Sequence, residues 1–144
     1  MRGFTLIELV IVMAILLILF AVVGTISSGM LPRNQLSIEG GLIQETLRRA
    51  QALTIAGKQD ELWGVHFTSS TMTLFGGTSY AMRDIDYDEL HSFPAGLTLG
   101  GLTDIVFSAP LGETSNTGDV SLTSNSTSEI VTISVNASGL VSKE

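Results

Sequence analysis

The strongest constraint on this chain lies near its start. From Leu9 to Val23 there is no polar or charged residue, and the run reaches Ile26 if Gly24 and Thr25 are counted in. Between Phe4 and Ile26 the only charge is Glu8. A helix of that length spans about 35 Å at ~1.5 Å per residue, enough for the hydrocarbon core of a bilayer. Arg2 is the only positive charge before the run. It favours a cytoplasmic N-terminus, with the remainder of the chain outside the inner membrane.

Three kinds of segment compete for this pattern. A secretory signal peptide has an apolar core of about 7–15 residues followed by a small-x-small cleavage site. The run here is longer, and Ser27-Ser28-Gly29 is a weak site. A plain transmembrane anchor accounts for the length but not for Glu8, because an ionisable residue inside such a segment costs a few kcal/mol. The third kind accounts for both. Gly3-Phe4-Thr5-Leu6-Ile7-Glu8 resembles the class III signal of type IV prepilins and type II secretion pseudopilins.

That resemblance implies cleavage by a prepilin peptidase between Gly3 and Phe4, N-methylation of Phe4, and retention of the apolar helix. It also implies that Glu8 pairs with a neighbouring subunit's N-terminal amine during filament assembly. Both groups sit in low dielectric, where pairing offsets part of the cost of burying each charge. The alternative for Glu8 is a carboxylate that snorkels to the headgroups from near the helix end. The expected partners are the peptidase, other pilin or pseudopilin subunits, an inner-membrane assembly platform and the membrane itself.

Beyond Pro32 the chain changes character. Hydrophobic residues make up 44% of the whole and charged residues 15%, against roughly 25% charged in a usual soluble domain. The excess apolar content is concentrated before residue 27. The net charge is −7, from 14 acids and 7 bases; such a chain repels phosphate, so no nucleic-acid partner is expected. With no cysteine, disulfides, thiolate metal sites and a cysteine nucleophile are excluded.

Gly24, Gly29 and Pro32 weaken helix formation, and Pro32 disfavours helical geometry at Leu31, so a kink or break is expected across Ser27 to Pro32. From Arg33 to Ala56 helical periodicity returns. Leu36, Ile43, Leu47, Ala50 and Thr54 form one stripe, and Ile38, Leu42, Thr46 and Leu53 a second beside it. One stripe could pack on a sheet and the other on neighbouring subunits, or the two could form one broad core face. Arg48-Arg49 reads as a solvated face, and Gly57 as the helix end.

Residues 58 to 144 switch to period two. Trp63, Val65 and Phe67 alternate with Leu62, Gly64 and His66. Met72 to Phe75 and Thr103 to Phe107 are further strand candidates. Val131, Ile133 and Val135 are expected to face inward, with Leu140 to Ser142 as the last strand. The loops fall at Asn116-Thr117-Gly118 and Ser124 to Ser128. The expected fold is α+β and pilin-like: a long N-terminal helix, transmembrane in its first half, packed on a small antiparallel sheet. The corresponding divisions are a leader at 1–3, a filament-core helix at 4–31, an amphipathic half at 32–57 and a β domain at 58–144. Within the family, the order of motifs over positions 36 to 144 resembles the minor pseudopilin H and FimT-type minor pilin group. Gly139 is followed by Leu140-Val141-Ser142, without the arginine through which some FimT-type pilins bind DNA.

Other sites are weaker. Asp84, Asp86 and Asp88 could offer oxygens to Ca²⁺, but Glu89 stands where an EF-hand loop needs glycine and Ala95 where it needs its last glutamate. Ile85 and Tyr87 alternate with these acids, which equally fits a charged edge strand. His66 and His91 read as lone histidines, and no nucleophile-elbow motif supports a Ser-His-Asp site. No cofactor is expected. The function indicated is a structural subunit of a pilus or secretion pseudopilus and not an enzyme. The alternatives are a binding module at a filament tip, as an adhesin or DNA receptor, and a membrane-tethered enzyme or exported soluble protein.

Overall fold

The computed structural model describes residues 5–26 and 30–144, with the side chains of 21–32 outside that description. Two helices, α1 (Leu6–Ile26) and α2 (Met30–Ile55), precede eight strands. The expected break falls largely on residues 27–29, outside the described residues. Leu31 and Pro32 lie within α2, contrary to the expectation at Leu31. Pro32 falls in the first turn of α2, where its missing N–H has no intrahelical acceptor to lose.

Of the two apolar stripes of α2, the one from Leu36 to Thr54 is the inward one. Leu36 is 3% exposed, Ile43, Leu47 and Ala50 are 0%, and Thr54 is 1%. Of the second stripe, Leu42 and Leu53 pack at the margin of the core, Thr46 turns its hydroxyl back onto Leu42 O at 2.9 Å, and Ile38 stays exposed. The helix ends where Gly57 adopts a left-handed φ of 59° and its N–H closes the last turn on Thr54 O at 3.0 Å. A residue without Cβ takes that conformation without strain.

The expected single sheet is instead two. Strands β1 (Trp63–Phe67), β2 (Thr71–Gly76), β3 (Asp84–Ser92) and β5 (Asp104–Val106) form a four-stranded sheet in the order β3-β2-β1-β5. Strands β4 (Leu97–Gly101), β6 (Gly118–Ser124), β7 (Ile130–Val135) and β8 (Val141–Lys143) form a second, in the order β4-β6-β7-β8. Every pairing is antiparallel. Gly118, expected in a loop, opens β6. That strand turns Val120, Leu122 and Ser124 inward, but Ser and Thr fill the remaining positions and mask its alternation.

One core joins both sheets to α2. Leu36, Ile43 and Leu47 meet Val65, Leu74 and Ile105 from the first sheet and Val120, Leu122 and Ile133 from the second. At Gly40 the helix comes so close to β7 that an added Cβ would stand 2.8 Å from Val131 Cγ1. Thr54 ties α2 to β1, its hydroxyl accepting the Trp63 N–H at 2.9 Å.

Arg48 and Arg49 are exposed, as a solvated face requires, and both also bond to the sheets. Arg49 clasps Glu89 on edge strand β3 with two bonds of 2.6 Å. Arg48 donates to Val141 O on edge strand β8 at 3.1 Å, where Gln44 also donates at 3.3 Å. Lys143 returns a bond to Ser37 O at 2.9 Å. Polar side chains of α2 thus reach an outer strand of each sheet, and the unpaired carbonyl of Val141 is covered.

Candidate functional site

The start of α1 is organised by Thr5. This residue precedes the helix, its carbonyl accepts the Leu9 N–H at 3.3 Å, and its hydroxyl accepts the Glu8 N–H at 3.4 Å. Thr5 is therefore the N-cap, satisfying one of the amide donors that a helix start leaves without partners. Thr5-Leu6-Ile7-Glu8 spells the S/T-x-x-E capping signature, a signal already present in the sequence. Glu8 lies in the first turn, where a negative charge meets the positive end of the helix dipole. Gly3 and Phe4, singled out for cleavage and methylation, lie outside the described residues.

Every described side chain of α1 from Leu6 to Phe20 is exposed; Leu6 is at 82%, Leu17 at 71% and Phe20 at 75%. A helix apolar on all sides has its stable place in a core or a bilayer, yet among the described residues nothing covers this one. The backbone helix has 21 residues, about 31 Å of rise, but its described side chains stop at Phe20. Among the described residues no helix is long and apolar enough to cross a membrane.

The three aspartates do not converge. Asp84, Asp86 and Asp88 occupy alternate positions of β3, an edge strand. Asp84 accepts the Asp86 N–H at 3.1 Å. Both oxygens of Asp88 receive Arg83 Nε, at 3.1 and 2.8 Å. That hydrogen bond holds the Arg83 guanidinium above its ordinary pKa and keeps it charged. Among the described residues no group of three or more acids or histidines is placed to hold a metal ion.

Neither histidine is alone. His91 Nε2 lies 2.9 Å from Glu39 Oε2 on α2, and His66 Nδ1 lies 2.8 Å from Asp104 Oδ1 on β5. Their partners are 52 and 38 residues away, beyond the reach of motif spacing. His66 also belongs to a second, smaller packed layer on the outer face of the first sheet. Its ring stacks on Tyr80 at 3.7 Å and 10°, Phe75 meets Tyr80 edge-on at 5.5 Å, and the Arg83 guanidinium lies 3.8 Å from the Tyr80 ring centre. Gly64 makes room for this layer, since a Cβ there would stand 2.8 Å from Phe75 Cζ and 2.7 Å from Ile105 O. Beside it opens a cleft of about 750 Å³, with His66, Tyr80, Asp104 and Glu113 among its walls.

Residues 1–24 match the family model described as the prokaryotic N-terminal methylation motif. Neither a curated protein nor a solved structure matches the chain. The matched segment contains Gly3, Phe4 and Glu8, and it supports a type IV pilin-like or pseudopilin subunit.

Proposed function

We propose that this chain is a structural subunit of a type IV pilus or type II secretion pseudopilus. A prepilin peptidase removes residues 1–3, Phe4 becomes the methylated first residue, and residues 4–31 are kept as membrane anchor and later as filament core. The amphipathic residues 32–57 and the β domain of 58–144 stand outside the inner membrane. Glu8 answers the Phe4 amine of a neighbouring subunit.

The observation that carries this reading is the conjunction of the methylation motif with a helix whose described apolar side chains are uncovered on every side. A filament core or a bilayer supplies the missing cover, and removal of apolar surface from water yields about 25 cal/mol per Å². Membership of the minor pseudopilin H and FimT-type group belongs to the same proposal, and it draws on the order of motifs over positions 36 to 144.

Mass spectrometry of the native N-terminus tests it. The expected product begins at methylated Phe4, and Gly3→Asp leaves the chain uncleaved and out of filaments. A mature chain beginning near residue 30, or normal maturation of the Gly3→Asp variant, would remove the basis for the reading.

A further inference from the structure

We propose that the cleft beside His66 receives the side chain of a lysine or arginine presented by a partner protein. The inference rests on the β domain alone and holds whether or not α1 enters a filament. The cleft lies on the outer face of the first sheet, between the segment around Tyr80 and the loop that carries Glu113. Its volume of about 750 Å³ falls within the range of ~300–1,000 Å³ usual for ligand sites.

The chemistry of the walls selects the ligand. Leu62, Ala81 and Val106 supply apolar surface. Among the described residues, the ionisable groups lining the cleft are His66, Tyr80, Asp104 and Glu113, and no lysine or arginine lines it. The nearby Arg83 is committed to Asp88 and to the Tyr80 ring. Asp104 uses Oδ1 for His66. Among the described residues, neither its Oδ2 nor the Glu113 carboxylate meets a side-chain or backbone donor. In the neutral ring, Nδ1 of His66 donates to Asp104 and Nε2 is then an acceptor for the cleft's ligand.

The result is an anionic, acceptor-rich cavity with an apolar floor. A phosphate or carboxylate is repelled there. A purely apolar group would strip water from acceptors without replacing it. A long aliphatic stem ending in several N–H donors satisfies both parts at once, and lysine and arginine have that form. The net charge of −7 attracts a basic partner from a distance.

The test uses the full chain in detergent micelles and three peptides, acetyl-Gly-X-Gly-amide with X as lysine, norleucine or glutamate, followed through the His66 ring resonances. The lysine peptide is expected to give a saturable shift, weakened about tenfold by combining Asp104→Asn with Glu113→Gln and weakened again between roughly 50 and 300 mM salt. Glu113→Gln alone leaves the His66–Asp104 pair intact and is expected to weaken binding several-fold without loss of folding. Equal shifts with norleucine, unchanged affinity in either variant, or no saturable shift with lysine would each overturn the proposal.

Discussion

In α2 the apolar residues from Leu36 to Thr54 fall on one stripe, and the chain's own two sheets bury them. In α1 the apolar residues fall on every side, and those described are exposed. Both segments are helices of more than 20 residues, so backbone geometry does not separate them. The difference lies in where the complementary surface is. For α2 it is within this chain, and the helix is part of a folded core. For α1 no such surface is found among the described residues, and the proposed function places this helix in a bilayer or a filament core. A change in α1 should therefore be felt in assembly and little in domain stability, and a change in α2 the reverse.

The largest effect is expected at Glu8. On the proposed pairing with a neighbour's amine, removing one member of a desolvated ion pair costs about 3–5 kcal/mol, so Glu8→Ala should lower incorporation into filaments on the order of a hundredfold or more. The thermal unfolding of the β domain should not move. If that domain loses stability instead, α1 packs on it and the two regions are not separate.

Leu47→Ala probes the other side of the contrast. Leu47 is fully buried, and such truncations cost about 2–5 kcal/mol, measurable by denaturant unfolding of the domain. Processing at Gly3 should continue unchanged in this variant.

Gly40 and Gly41 sharpen the picture within α2. A methyl at Gly40 would press on Val131, so Gly40→Ala should cost about 1–3 kcal/mol. A methyl at Gly41 meets nothing within 4 Å, so Gly41→Ala should stabilise by about 0.5–1 kcal/mol through helix propensity. The same sign at both positions would mean that α2 is not seated on β7 as described.

The smallest effect is expected at Arg49→Ala. Its ion pair with Glu89 has side chains 50% and 53% exposed, so solvent screening limits the loss to at most about 1 kcal/mol. The difference from the unsubstituted chain should shrink further in high salt.

Those features that depend on neighbours in sequence were legible before any coordinates. The apolar stripes of α2, the alternation of Trp63, Val65 and Phe67 with their neighbours, the strand from Val131 to Val135, and the turn at Gly57 all follow from residue periods of 3.6 or 2 and from one glycine; which stripe of α2 and which set of β1 face inward was decided by packing. The Thr5 cap is equally written in the sequence as S/T-x-x-E, in the same residues that read as a processing signal. The division into two sheets was not visible. Strand order is set by pairings such as that of Leu97–Gly101 with Gly118–Ser124, which no local pattern specifies.

The cleft shows the same limit at the level of side chains. His66 meets Asp104 only because β1 pairs with β5, with His66 opposite Asp104 in the register. Arg48 and Arg49 reach opposite sheets only because α2 lies across both. Composition and short-range pattern thus established an apolar leading segment, an amphipathic helix and an antiparallel β region, since each is written in the spacing of adjacent residues. Folding in three dimensions settled which acids meet which bases, because such meetings depend on strand register and helix seating, and these are fixed by burial summed over the whole core.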